Sequence, residues 1–216
     1  ALPILSIGNS LGRKTVAVLT NMDQPLGHEV GNSNEVEEAI RVLKGHGAED
    51  ETEVALTIAA HMCVLGGAYG RFDEAYEALK DIIESGKAFD KLVELVEIQG
   101  GDAEVVRDTN LLPKAKRSID VLSEESGYVI GLQAENIGVA AMLLGAGRRV
   151  KGDSIDFGAG ITLKKKIGDY VEKGEVLCVL HTDHDDIEDA QQRAFDAYTI
   201  GAEKPVINPI VYETIE

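Results

Sequence analysis

Between residues 33 and 98 the apolar side chains recur at helical spacing, and beyond residue 113 they alternate with period two. Asn32 followed three residues later by Glu35 reads as a capping box, after which Val36, Ala39, Ile40 and Leu43 share one helical face up to Gly45. Asp50 and Glu53 read as a second capping pair ahead of Val54, Ile58, Met62 and Leu65, and Gly66-Gly67 ends that helix. Phe72, Ala75, Tyr76, Leu79 and Ile83 predict a third helix ending near Gly86. Phe89, Leu92, Val93 and Val96 predict a fourth, ended by Gly100-Gly101. Ahead of all four, KTVAVLT (residues 14–20) is a β-branched run that predicts a buried strand, followed by the Pro-, Gly- and Asn-rich loop NMDQPLGHEVGN.

The rhythm changes at Leu111-Leu112-Pro113. RSIDVLS, GYVIGL, SIDFGAGITL, YVEKGEVLCVL and PVINPIVYETI predict strands, with helices over about residues 135–144 and 187–198. The fold class that follows is α/β, helix-rich over residues 1–113, then an α+β, mostly antiparallel unit over 114–216. One strand cannot form a sheet, so the partners of residues 14–20 are expected outside this chain or in a rearranged pairing. The opening ALPILSIGNS has no basic n-region and reads as the end of a helix begun earlier, so a piece of a longer protein is expected.

Composition narrows the partners. With 38 Asp and Glu against 21 Lys and Arg, the formal charge of −17 repels nucleic-acid phosphates and anionic lipid, so neither is an expected partner. No apolar run approaches membrane-spanning length. Cys63 and Cys178 lie far apart without metal-ligand spacing, which suits a reducing cytoplasm. The basic run Lys164-Lys165-Lys166 has no interleaved aromatic residue and reads as a solvated turn.

Several motifs invite chemistry. GNSLGRKT has Arg13 where a phosphate loop needs glycine before its lysine, and it leads from a helix into a strand, so it reads as a connecting turn. HTDHDD (residues 181–186) could ligate zinc through His181 and His184, but its position before a helix favours Asp residues serving as caps. His61, among Ile58, Met62 and Leu65, reads as a packing histidine, and no chemistry follows from Tyr69 or Arg71. GDYVEKGEVL (residues 168–177) is a hairpin signature with Val171 and Leu177 pointing inward. It is similar to the hairpin of biotinyl and lipoyl carrier domains, which implies a barrel-sandwich. His184 stands where those domains keep the lysine that carries the cofactor, and imidazole cannot form the lipoyl amide.

GRKT with TNMDQPLGHEVGNSNEVEEAI is the most specific stretch. Together with QGGD (residues 99–102), GYV (127–129), IGVAAMLLGAGR (137–148), the K-x-D-x-I-D of Lys151, Asp153, Ile155 and Asp156, GITLKKKIGDYVEKGE and YETI, it resembles the carboxy-terminal half of the pyrimidine-nucleoside phosphorylases. The resemblance covers essentially all of this chain, and residues 1–113 correspond to the later part of that family's phosphate-binding α/β domain.

The resemblance implies a pentosyl-transferring enzyme, a homodimer in its family, that converts a pyrimidine nucleoside and phosphate to free base and a ribose or deoxyribose 1-phosphate. The family's K-H-S and T-G-G phosphate motifs do not occur here. Its base-binding arginine and S-x-M-S-K-K helix are also absent, so no catalytic residue carries over. The chain alone is therefore expected to be inactive. The alternative is a stand-alone, non-catalytic homologue that acts as a binding module. One family site maps in part: a potassium ion whose ligands here would be the backbone oxygens of Leu26 and Glu29 and the carboxylate of Glu38. A large, weakly hydrated cation suits carbonyl oxygens and one carboxylate. Gly31-Asn32-Ser33-Asn34-Glu35-Val36 departs from the family's G-N-A-L-E-V, and Glu29 from its usual small residue.

Overall fold

The computed structural model describes residues 2–215. The first half is helical: α1 (Leu2–Ser10), α2 (Ser33–Leu43), α3 (Glu49–Leu65), α4 (Phe72–Glu84), α5 (Lys87–Ile98) and the single turn α6 (Glu104–Arg107), with the short strands β1 (Ala17–Thr20) and β2 (Glu29–Gly31) between α1 and α2. The second half runs β3 (Arg117–Leu122), β4 (Gly127–Leu132), α7 (Ala134–Ala141), β5 (Gly160–Leu163), β6 (Tyr170–Val171), β7 (Val176–Thr182), α8 (Glu188–Asp196), β8 (Tyr198–Gly201) and β9 (Val211–Ile215). No helix among the described residues is long and apolar enough to cross a membrane.

Three antiparallel sheets result: four strands in the order β2-β5-β7-β3, three in the order β6-β4-β8, and the pair β1-β9. None closes into a barrel. Both larger sheets, α7 and α8 contribute to one core, in which Val129, Ile137, Leu144, Ile161, Val171 and Leu180 are fully buried. Each such aliphatic side chain removed from water stabilises the fold by about 1.5–3 kcal/mol. Tyr198 reaches this core with a polar end that must be satisfied, and its hydroxyl donates to the carbonyls of Leu177 (3.0 Å) and Lys165 (3.2 Å). Burial pushes the adjacent Cys178 thiol up to about 12, so it packs as a small apolar group.

Several expectations change. The strand at residues 14–20 does have a partner in this chain: β1 pairs with β9, Ala17 facing Ile215, and it is half-buried rather than core. A strand inside the MDQPLGHEV loop went unforeseen. β2 pairs with β5, Glu29 opposite Thr162, so the loop is stitched to a strand more than a hundred residues away. The turn at 168–177 is no hairpin of paired strands, because β6 joins β4 whereas β7 lies between β5 and β3. Its inward residues are as expected, with Val171 and Leu177 at 0 and 1% exposure. Only Gly160–Leu163 of SIDFGAGITL and Val211–Ile215 of PVINPIVYETI are strand.

Helix limits follow the glycine stops: Gly45, Gly67, Gly86 and Gly100 all have φ of 77–79°, a left-handed conformation that glycine adopts without a Cβ penalty. The capping boxes do not form. Asn32 spends its side-chain amide on the carbonyl of Ala146 at 2.7 Å, and Glu35 accepts from Gly31 N rather than from Asn32. Asp50 lies inside the first turn of α3, whose cap is Ala48. The apolar faces differ too. On α2, Val36 and Ala39 are exposed while Ile40 is buried, and on α3, Ile58, Met62 and Leu65 are 44, 65 and 40% exposed.

Candidate functional site

The loop from Gln24 to Gly31 is held from four sides. Glu38, on α2 and 5% exposed, accepts backbone N–H bonds from His28 (2.8 and 3.1 Å) and Glu29 (2.9 Å), which fixes the loop over the first turns of the helix. Gly27 at φ 69° closes that turn, since a Cβ there would stand 2.4 Å from a Glu38 oxygen. Asp50 at the start of α3 accepts from Gly27 N at 3.3 Å. Lys166 ties both together, donating to Gly27 O at 2.7 Å and pairing with Asp50. Gln24 accepts from Ile167 N at 2.8 Å. The basic run is thus anchored rather than solvated, with Lys165 paired to Glu175 at 2.6 Å and only Lys164 exposed.

β2 is then fixed by side chains from both halves. Glu29 pairs with Arg41 at 3.2 Å and accepts from Thr162 at 2.6 Å and from Asn34 at 3.2 Å. Asn34 also bridges to the carbonyls of Val30 and Ile161.

Beside the loop opens a cavity of about 810 Å³, and Leu26, Glu29 and Glu38 all line it. Its wall also carries Glu51, which the sequence did not single out. Burial, reinforced by the charges of Glu38, Asp50 and Glu35, pushes the Glu51 carboxyl up to about 7. Its Oε2 is shielded from solvent and has no hydrogen-bond partner. An orphaned buried carboxylate oxygen and a second buried carboxylate on one cavity wall are groups that could serve a cation. Glu38 already spends its oxygens on backbone N–H groups, so any cation would share that carboxylate with the loop.

The other candidates separate. His181 faces Thr162 and Ser118, whereas His184 lies against Gly145 in the π-helical turn that follows α7. Asp183 accepts from Lys116 N at 2.7 Å, and Asp185 pairs with Arg117 at 3.0 Å. No three His, Cys, Asp or Glu side chains converge as a metal-binding group among the described residues. His61 stacks on Phe72 with ring centroids 4.6 Å apart, as a packing histidine would. Cys63 and Cys178 are both free.

The geometry is that of an α+β framework of antiparallel sheets and helices. Residues 128–201 match the pyrimidine nucleoside phosphorylase C-terminal domain. The chain is 45% identical over 200 residues to the pyrimidine-nucleoside phosphorylase of Bacillus subtilis, covering 93% of this chain and 46% of that protein. It is 41% identical to the enzyme of Staphylococcus epidermidis (97% and 49%) and 39% identical to that of Geobacillus stearothermophilus (98% and 49%). The chain is therefore a member of the pyrimidine-nucleoside phosphorylase family, and it spans about half the length of the curated relatives it matches.

Proposed function

We propose that this chain is the carboxy-terminal part of a pyrimidine-nucleoside phosphorylase. The whole enzyme would transfer the pentose of a pyrimidine nucleoside to phosphate. In this reading the loop 24–31 and the wall of the 810 Å³ cavity form the phosphate side of the active site, and residues 114–216 close over it. The observation that carries the reading is the 45% identity along nearly the whole chain.

Leu26 and Glu29 through their backbone oxygens, and Glu38 through its carboxylate, would hold a potassium ion, with Glu51 beside them. Bound there, the ion supplies positive charge that orients phosphate. What this chain's own residues do is positional. Glu38 and Lys166 keep the loop closed beside a cavity that Phe157 and Leu112 also line, and such closure positions groups without supplying a nucleophile or an acid. Activity therefore depends on groups that bind phosphate and stabilise the departing base, each worth several kcal/mol of barrier in comparable sites. Dimerisation and a cytoplasmic location follow from the same reading, and so does a barrel-sandwich kinship of the two sheets.

The test is phosphate-dependent uridine cleavage, in potassium and in sodium buffers, by this chain, by the complementary amino-terminal half of a relative, and by the mixture. The expected result is turnover only in the mixture and only with potassium. Turnover by this chain alone would refute the reading.

A further inference from the structure

Across the outer face of the four-stranded sheet runs a chain of polar side chains, one from each strand. Ser118 (β3) lies directly opposite His181 (β7), with Oγ 3.1 Å from Nδ1. The other ring nitrogen, Nε2, is 2.9 Å from Thr162 Oγ1 (β5), and Thr162 donates to Glu29 Oε2 (β2) at 2.6 Å. The carboxylate can only accept, so the Thr162 hydroxyl proton points to Glu29. Its oxygen must then accept from His181 Nε2–H, which leaves Nδ1 as the acceptor for Ser118. The bonds run one way, from hydroxyl to imidazole to hydroxyl to carboxylate. Burial of His181 holds its ring neutral by lowering its affinity for a proton, so the base is available. Ser118 is exposed, and it opens on a cavity of about 290 Å³ that also carries Arg41 and Lys114.

We propose that Ser118 is a nucleophile toward small activated esters, with His181 as its general base, at a site that adjoins the cavity around Glu38 and shares Glu29 with it. Ser118 Oγ forms a bond to the acyl carbon as its proton passes to His181 Nδ1. The carbon–oxygen bond to the leaving group breaks, the electron pair leaves with that oxygen, and the imidazolium returns its proton to it. Water, deprotonated by the same nitrogen, then releases the carboxylic acid and restores the serine. Arg41 and Lys114 are the cations lining this cavity, and both are already paired with carboxylates, at 3.2 and 3.9 Å. Thr162 and Glu29 act through His181 and are positioning residues: they fix its tautomer.

The experiment exposes the full chain to p-nitrophenyl acetate and locates the acetyl group by intact mass and peptide mapping. Acetylation of Ser118 is expected, absent in Ser118→Ala. It should be slowed about 100-fold in His181→Gln, the range of a lost general base. Thr162→Val, which removes the acceptor of His181 Nε2–H and so acts only through the base, should slow it about 10-fold, less than loss of the base itself, and Thr162→Ser should restore it. The Thr162 pair keeps the proposal testable if His181→Gln fails to fold by its thermal melt. Acetyl groups on lysines with Ser118 unmodified would overturn the proposal, and so would an unchanged rate at Ser118 in the His181 or Thr162 variants.

Discussion

Leu180 in β7 and Met62 in α3 carry side chains of similar size and polarity, yet one is 0% and the other 65% exposed. They stand for two regions. Beyond residue 113 the two larger sheets, α7 and α8 turn their apolar sides into one shared core. In the helical region the same kind of amphipathic pattern makes helices that cover one another thinly: α5 has no fully buried residue, and α1 exposes Leu2, Ile4 and Ile7. Periodicity decides that a segment can be a helix, but only a neighbouring surface decides whether its apolar face leaves water. Two sheets and two helices are enough to enclose a core. A row of helices with one two-stranded ribbon buries Ile40, Leu56, Ala60 and Ala75 but leaves Ile58, Met62 and Leu95 partly in water.

The largest effect expected from this contrast is in the sheets. Leu180→Ala should destabilise the chain by about 3 kcal/mol, the lost transfer energy plus an unfilled cavity between sheets that cannot collapse. Urea unfolding monitored by circular dichroism measures it. A change below about 1 kcal/mol would mean that this core is loosely packed, and the distinction between the regions would fail.

Much of the second region was legible because period-two alternation is local. GYVIGL coincides with β4, and the inward positions of Val171 and Leu177 are as read. What could not be read is long-range. Nothing in residues 17–20 names residues 211–215 as a partner, and β2 is three residues hidden in a loop whose strand character comes only from pairing with β5. The candidate site divides in the same way. Leu26, Glu29 and Glu38 were reachable through family resemblance, and all line one cavity. Glu51, which no sequence motif marks, becomes notable through a burial that no local pattern encodes. The Ser118–His181–Thr162–Glu29 chain depends on four strands in register, and HTDHDD drew attention to His181 for a different chemistry.

A middle-sized effect tests whether the seam between the regions is strained. The Glu51 carboxyl has a folded-state affinity for protons raised from 4.5 to about 7. The folded chain therefore binds more protons than the unfolded one between those values, and stability falls as pH rises through that window. Glu51→Gln should flatten the fall and raise stability at pH 8 by roughly 1 kcal/mol, solvent screening included. Melting temperatures from pH 4.5 to 8 would show it. Parallel curves for the variant and the parent chain would place Glu51 in ordinary solvent contact, without the strain its buried oxygen implies.

The smallest effect is expected at Met62. Its side chain projects from α3 beside Ile58 and Leu65, the stripe that the sequence pattern marks as a core face and that remains 40–65% exposed. Met62→Ser removes an apolar side chain that is mostly in water already, so little transfer energy is lost. The remaining cost is the lower helix propensity of serine, a few tenths of a kcal/mol. The change should fall within about 0.5 kcal/mol in the urea assay that registers Leu180→Ala. The consequence lies elsewhere. An apolar stripe on an exposed helix promotes association, so the variant should remain monodisperse at protein concentrations where the parent chain aggregates, measured by light scattering. A loss above about 1.5 kcal/mol would show that α3 buries this face in solution against some part of the chain, and the contrast between the two regions would fail.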